Sequence, residues 1–214
     1  DQLANGAAKL HYMSGGQLTL PLVIRTPAGG GTGNAGQHSQ CLEAWFCHIP
    51  GMKVVMPSTP ADARGLLKSS IRDDNPVLFI EHKKLYRMKG AVPAEETLIP
   101  LGQADIKRPG KDVTLVSWSY TIHHCLEAAD KLAQEGIEVE VLDPRTLQPL
   151  DIAAIIKSVE KTGRLVIAHE AVTFGGFGGE IAAQVSEQAF PALKHHVVRV
   201  GAKLSHQPFP EPLE

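Results

Sequence analysis

The sequence lacks most of the features that would assign it quickly. It has three cysteines, Cys41, Cys47 and Cys125, an odd and small number that builds no disulfide framework and points to a reducing compartment. No apolar run approaches the roughly 20 residues of a transmembrane helix, and no signal peptide opens the chain. Neither charge sign dominates: 21 Lys and Arg face 23 Asp and Glu, a formal net charge of -2, which implies neither a nucleic-acid stripe nor an acidic tail. There is no internal repeat, no low-complexity tract, no Walker loop and no G-x-S-x-G nucleophile elbow. Cys41, Cys47 and His48 do not gather on one helical face, and neither His123–His124 nor His195–His196 has zinc-ligand spacing.

What is present is 214 residues, 43% of them hydrophobic, in which strand and helix patterns alternate. Short apolar runs at Leu18–Ile24, Met52–Met56, Val77–Ile80, Val113–Trp118, Ile137–Leu142, Leu165–His169 and His196–Val200 predict strands. Helices are predicted from Asp1 to about Met13, Leu42 to Phe46 with Ser39 as a cap, Pro60 to about Arg72, Thr121 to Glu135, Ile152 to Lys161, and Glu180 to Phe190. The stretch 81–110, rich in Lys, Pro and Gly, reads as a connection with an irregular strand near Leu98. The fold expected is α/β with two parallel-sheet units, over residues 1–80 and 110–214, joined by 81–109. Ligands of such folds collect beyond the carboxyl ends of strands, here the loops after Ile24, Trp118, Leu142 and His169. The chain opens at Asp1, without an initiator Met and inside a helical pattern, so a preceding segment is expected.

Three stretches carry residue types suited to chemistry. GGGTGNAGQHSQ, Gly29 to Gln40, leaves a predicted strand and ends at a helix start, where free N–H groups favour an anion and a neutral imidazole. His38 sits at that junction; the competing reading is a loop histidine tied to a backbone carbonyl. SSIRDDNP, Ser69 to Pro76, ends a helix whose last carbonyls either bind water or hold a monovalent cation. TFGGFGGE, Thr173 to Glu180, lacks the G-x-G-x-x-G spacing and marks either a close backbone approach or a simple turn. Glu170, directly after a strand, is either a site carboxylate or a residue that caps a helix or pairs with a lysine.

The run AGQHSQCLEAWFCHIPGMKVVMPSTPADARGLLKSSIRDDNPVLFIEHKKLY, Ala35 to Tyr86, closely resembles beta subunits of thiamine-diphosphate-dependent 2-oxo acid dehydrogenases. So do LDPRTLQPLD, Leu142 to Asp151, and PFPEPLE, Pro208 to Glu214, and the resemblance covers the chain in order and in register. Its wording looks most like the pyruvate or acetoin type, with the branched-chain type also open. The resemblance implies the second half of a pyrimidine-binding domain followed by a transketolase carboxy-terminal domain. It implies an alpha-two beta-two heterotetramer with thiamine diphosphate and magnesium held mainly by the alpha subunit. Its pyrimidine-contacting glutamate would lie upstream of Asp1. It makes His38 the active-site histidine, and Leu22, Ser70, Ile71, Asp73 and Asn75 the ligands of a potassium ion. Expected partners are the alpha subunit, a second beta subunit and the peripheral subunit-binding domain of a dihydrolipoamide acyltransferase, with no nucleic acid and no membrane. The compartment implied is the cytoplasm of a bacterium, or the mitochondrial matrix or plastid of a eukaryote. His206, where the family usually has a small apolar residue, departs from the pattern. Two other readings remain open: a non-catalytic assembly module, and a homodimeric enzyme of transketolase type.

Overall fold

The computed structural model describes residues 1–208, so most of the closing PFPEPLE run lies outside the described residues. The amino-terminal helical pattern forms in two pieces, a π-helical stretch at Gln2–Ala7 and α1 at Leu10–Met13. The first strand, β1, is Val23–Ala28, displaced from the predicted Leu18–Ile24. The reason is its partner. The strand it pairs with starts at Val77, immediately after Pro76, so residues before Val23 have no ladder to join and Leu18 remains exposed. Pro27 is tolerated within β1 because the strand pairs on one side only.

The chain continues through α2 (Ala35–His38), α3 (Glu43–Cys47), β2 (Lys53–Val55), α4 (Pro60–Ile71) and β3 (Val77–His82). Ser39 caps nothing at its start; it follows α2, and Leu42 precedes α3. Pro60 occupies the first turn of α4, whose cap is Thr59: its hydroxyl accepts the Asp62 N–H at 3.1 Å. The connection holds a 3-10 turn at Lys83–Arg87, and its irregular strand comes later than expected, as β4 at Asp105–Arg108; Leu98 lies in no strand. Then follow β5 (Val113–Val116), α5 (Thr121–Gln134), β6 (Val139–Asp143), β7 (Thr146–Gln148), α6 (Ile152–Thr162), β8 (Leu165–Val172), α7 (Gly178–Ala189) and β9 (Val198–Ala202).

The strands form two sheets, ordered β1-β3-β2-β7 and β4-β6-β5-β8-β9. Each is mostly parallel but carries one antiparallel strand, β7 against β2 and β4 against β6. The strand β7 was not anticipated. It belongs by sequence to the second half of the chain and completes the first sheet, with Leu147 fully buried.

Period-two alternation explains why the strands read as continuous apolar runs: both faces are covered. On β3, Val77 and Phe79 pack with Val55 and Leu66 under α4, while Leu78 and Ile80 face the other way. On the second sheet, Leu115, Val139 and Val141 face Ile122, Cys125 and Ala129 of α5. The inner faces of both sheets meet in one core, where Met52, Val54, Leu78 and Ile80 join Val116, Leu142, Leu147, Ile155, Val159, Ile181 and Val185. Each such aliphatic side chain contributes about 1.5–3 kcal/mol on full burial, so the two units are bound by one hydrophobic phase.

A polar seam crosses the same boundary. Lys107 of β4 reaches Asp62 of α4 at 2.6 Å, Asp105 at 2.8 Å and Asp143 at 3.9 Å, and Arg145 lies 3.4 Å from Asp62. Arg145 also donates to the carbonyls of Gln103 and Ala104. Burial alone would raise the Asp62 carboxyl, but Lys107, Thr59 and Arg145 hold it below its ordinary value. Asp143 is fully buried, and burial pushes it up to about 7 against the opposing pull of Lys107, Ser58 and the Arg145 N–H.

A group whose folded value is raised binds extra protons in the folded state, so its contribution to stability is lost as pH rises from the ordinary aspartate range to about 7. Asp143→Asn keeps the shape and removes the titration. The gap in unfolding free energy between variant and wild type should therefore shift in the variant's favour from about pH 5 to about pH 8, read by urea denaturation. A pH-independent gap refutes the assignment.

Candidate functional site

The glycine-rich stretch leaves β1 at Ala28 and ends in the single turn of α2, which carries His38. Its base is closed by the Gly29 N–H donating to the Gln40 carbonyl at 3.3 Å. Gly29 and Gly31 have φ of 88° and 75°, in the left-handed region. At both, a Cβ would collide with a side chain from the end of β3. At Gly29 it would lie 1.9 Å from the imidazole of His82, and at Gly31 1.9 Å from the Lys84 side chain. Gly29 is thus required both by backbone conformation and by close approach to a buried ring, whereas the far end of the Lys84 side chain can move aside and Gly31 is required by its backbone conformation.

His38 is exposed, and the Lys83 ammonium donates to its carbonyl oxygen. It lies with Gln37 and Gln40 on a cavity of about 310 Å³ whose walls include Ile24, Leu42, Phe46 and Ile80. A second cavity of about 250 Å³ lies between this loop and the other unit; it is lined by Ser39, Cys41, Glu170 and His206, among others. Among the described residues the buried Ser39 hydroxyl has no partner, and burial pushes the Cys41 thiol up, so it is held as the thiol.

Glu170 resolves in an unexpected way. It pairs with a histidine and a backbone amide rather than a lysine: Oε2 lies 2.6 Å from His82 Nε2, and Oε1 accepts the Gly30 N–H at 2.6 Å. Burial would raise this carboxyl, but His82, the Gly30 N–H and Lys84 hold it below the ordinary glutamate value. The Lys84 N–H donates to His82 Nδ1 at 3.2 Å, which leaves Nε2 as the nitrogen that carries the proton toward Glu170. The His82 ring stacks on Tyr120 at 4.9 Å, and the Lys84 ammonium sits 5.3 Å from the centre of the same ring. The carboxyl ends of β1, β3 and β8, with the turn after β5, therefore meet at one place.

A buried carboxyl lies close by in the chain. Glu43 is 2% exposed; burial raises its pKa, and one oxygen accepts the Trp118 indole N–H at 3.4 Å. Trp118 stacks on His169 at 5.2 Å. The TFGGFGGE stretch finds its reason here: a Cβ on Gly176 or Gly178 would stand 2.7 or 2.8 Å from the His169 ring, so the glycines make room for that imidazole.

The five residues of the expected cation site fall in one neighbourhood around the end of α4. The Leu22 carbonyl accepts the Val77 N–H at 2.8 Å, and the Leu20 N–H donates to the Asp74 carbonyl at 3.0 Å. The Ser70 hydroxyl donates to the Leu66 carbonyl, and Ile71 is exposed. Asp73 accepts both the backbone and side-chain N–H groups of Asn75, and Lys53 pairs with its other oxygen. Among the described residues no group of three His, Cys, Asp or Glu could hold a metal ion, so any cation here would rely on backbone oxygens.

Sequence reasoning singled out His38 and passed over His82, Lys83, Lys84, Tyr120 and Glu43, which the fold places around its loop or close to it. The signal for His82 was present: an ionisable residue at a buried position of the strand VLFIEH, directly after its apolar run and Glu81, is an exception to the pattern. It was absorbed into the supposed connection instead.

Residues 3–89 match the pyrimidine binding domain of transketolase, and residues 102–214 match the transketolase C-terminal domain. The chain is 50% identical over its whole length to the beta subunit of an acetoin:2,6-dichlorophenolindophenol oxidoreductase of Cupriavidus necator, covering 63% of that protein. It is 47% identical to the pyruvate dehydrogenase E1 component subunit beta of Rhizobium meliloti, covering 47% of it. To the 2-oxoisovalerate dehydrogenase subunit beta of Bacillus subtilis it is 43% identical, covering 66%. The chain thus spans less than two thirds of the length of these relatives. Among solved structures, a split-gene transketolase described as an inactive beta4 tetramer superposes with a TM-score of 0.78 at 27% identity. That match takes in 99% of this chain and 64% of the other.

Gly29→Ala tests the packing of the loop. It combines an unfavourable φ with collision against a buried ring, and should cost about 2–4 kcal/mol in urea unfolding. A loss below about 0.5 kcal/mol, within the range of an ordinary surface change, is incompatible with the close approach.

Proposed function

The chain belongs to the transketolase family, and on that premise we propose that it is part of the beta subunit of a thiamine-diphosphate-dependent 2-oxo acid or acetoin dehydrogenase. The observation that supports this most is the placement of His38: on the rim of an apolar slot, at the carboxyl ends of parallel strands, on a loop gripped from both units. Such a slot, with Gln37, His38 and Gln40 as its polar rim, suits a flat heteroaromatic ring. Thiamine diphosphate, when bound, supplies the carbanion-stabilising chemistry of the reaction. This chain's share is to wall one side of the site, exclude water with Ile24, Phe46 and Ile80, and move a proton at the His38 imidazole during decarboxylation and acyl transfer. Magnesium is assigned with the diphosphate to the alpha subunit.

The parent protein would then work as an alpha-two beta-two heterotetramer. It would include a second beta subunit and pass its acyl group to a lipoyl acyltransferase, whose peripheral subunit-binding domain would dock on the carboxy-terminal domain. The acetoin relatives are 48–50% identical to the chain and the pyruvate relatives 44–48%, against 43% for the branched-chain relative, an order that supports the acetoin type most and the pyruvate type next. The non-catalytic reading applies to the beta chain without its partner, and the structural neighbour described as an inactive beta4 tetramer supports it.

A potassium ion is proposed among the backbone oxygens of Leu22, Ser70, Ile71 and Asn75 together with Asp73. Lys53 already balances the one carboxylate there, so a monovalent ion suits the donor set better than a divalent one. Exchange of potassium for choline should lower the midpoint of thermal unfolding of the full-length protein. An unchanged midpoint removes the cation from the proposal.

The enzymatic test uses the full-length beta subunit co-expressed with its alpha partner. Pyruvate, branched-chain 2-oxo acids and acetoin are compared with and without thiamine diphosphate. Cofactor-dependent turnover of one of them is expected, with His38→Ala slowing it about 100-fold or more while assembly persists. Wild-type turnover in that variant would dismiss His38 as a proton carrier, and no turnover in a loaded wild-type complex would dismiss the class.

A further inference from the structure

Three consecutive side chains, at the end of β3 and the start of the 3-10 turn that follows it, each hold a different point of the loop that ends in His38. His82 packs against Gly29, and through Glu170 it is joined to the Gly30 N–H. Lys83 donates to the His38 carbonyl itself. Lys84 lies against Gly31 and reaches across to the face of Tyr120. Among the described residues these grips, at residues 29, 30, 31 and 38, leave the loop little freedom between its anchored start and the turn of α2. From this geometry we infer that His82, Lys83 and Lys84 form a clamp whose outer jaw is Glu170 of the second unit. His82 and Glu170 are thereby positioning residues for His38.

The argument turns on direction as well as distance. Glu170 has two oxygens and two donors, one on a side chain of the first unit and one on the loop backbone, each at 2.6 Å. The carboxylate can hold both only while the imidazole presents its Nε2 proton. That tautomer is fixed by the Lys84 N–H at Nδ1 and the ring plane by the stack on Tyr120. Loss of Glu170 frees the Gly30 N–H and one imidazole nitrogen together. Loss of His82 removes the wall against Gly29 and leaves Glu170 with a single partner. Both changes act on the same loop, so their effects should overlap rather than add. This places the anchor of the His38 loop in the opposite half of the fold, and makes its geometry depend on how the two units sit.

The inference rests on the proposed role of His38 where it concerns turnover, but not where it concerns the loop. The test therefore reads both. The full-length protein in its native assembly is prepared as His82→Ala, His82→Gln, Glu170→Ala, the double variant His82→Ala/Glu170→Ala, and His38→Ala. Backbone hydrogen exchange over residues 29–38 should be about tenfold faster in His82→Ala and Glu170→Ala, and no faster in the double variant than in either single one. His82→Gln, whose amide can still donate to Glu170, should stay close to wild type. Turnover should follow the exchange: kcat lower by about ten- to a hundredfold with KM little changed where the loop is released, and recovered in His82→Gln. Unchanged exchange over 29–38 in both alanine variants, or impairment of His82→Gln equal to that of His82→Ala, overturns the clamp. Should His82→Ala not assemble, Glu170→Ala against His82→Gln decides by the same readings. Wild-type turnover in His38→Ala with faster exchange in the clamp variants would instead sink the functional reading and leave the clamp standing.

Discussion

The carboxylate of Glu170 stands on one half of the fold and holds the other half by two hydrogen bonds, to the His82 ring and to the Gly30 backbone. Around it the site assembles. The ring it orients fills the space that Gly29 leaves open, and the same ring lies flat on Tyr120 at the start of α5. A half-buried carboxylate with two donors has been taken partly out of water at a cost, and repays it only when both donors are in place. The arrangement is accordingly specific: a shift of either unit by an ångström would break one of the two bonds and leave a charge poorly solvated.

The hydrophobic contacts between the units are less particular. Met52, Leu78, Ile80, Leu142, Leu147 and Ile181 share one core, and such contacts fix that the halves associate more than how they are aligned. Alignment falls to the polar groups. Besides Glu170, the seam has Asp62 between Lys107 and Arg145, and Asp143 behind it with Ser58. There three carboxylates, of Asp62, Asp105 and Asp143, meet two cations, and burial raises the most deeply buried of them, Asp143, with a smaller push from Asp62. The LDPRT run places Asp143 and Arg145 two residues apart so that one backbone turn, with Arg145 at a positive φ, serves both.

Much of this was legible in advance. VLFI, VTLV and VEVLD read as buried parallel strands because both of their faces are covered, and that leaves an uninterrupted apolar run in the sequence. Pro60 opens α4 at its first turn, as local chemistry demands. His38 stood out because a glycine-rich loop leading to a helix start is unusual by itself. The elements that were misread have a common cause. The start of β1 is set by where β3 can begin, β7 exists only because the first sheet has an edge for it, and β4 is an edge strand with one side chain fully outside the core. Each depends on a partner far away in sequence, which periodicity over a short window cannot register.

The sequence alone determined the class of the fold, the alternation of its longer helices with the buried parallel strands, and the loop on which His38 sits, since these follow from local propensity and from the period of apolar residues. Only the tertiary structure decided what surrounds that loop. Glu170 read as a site carboxylate, a helix cap or an ion-pair partner until folding brought it, across 88 residues of chain, against His82. Its two short hydrogen bonds are non-local, and so is the burial that makes them matter: a carboxylate's partners are chosen by the packing of whole sheets, and no residue carries that information by itself.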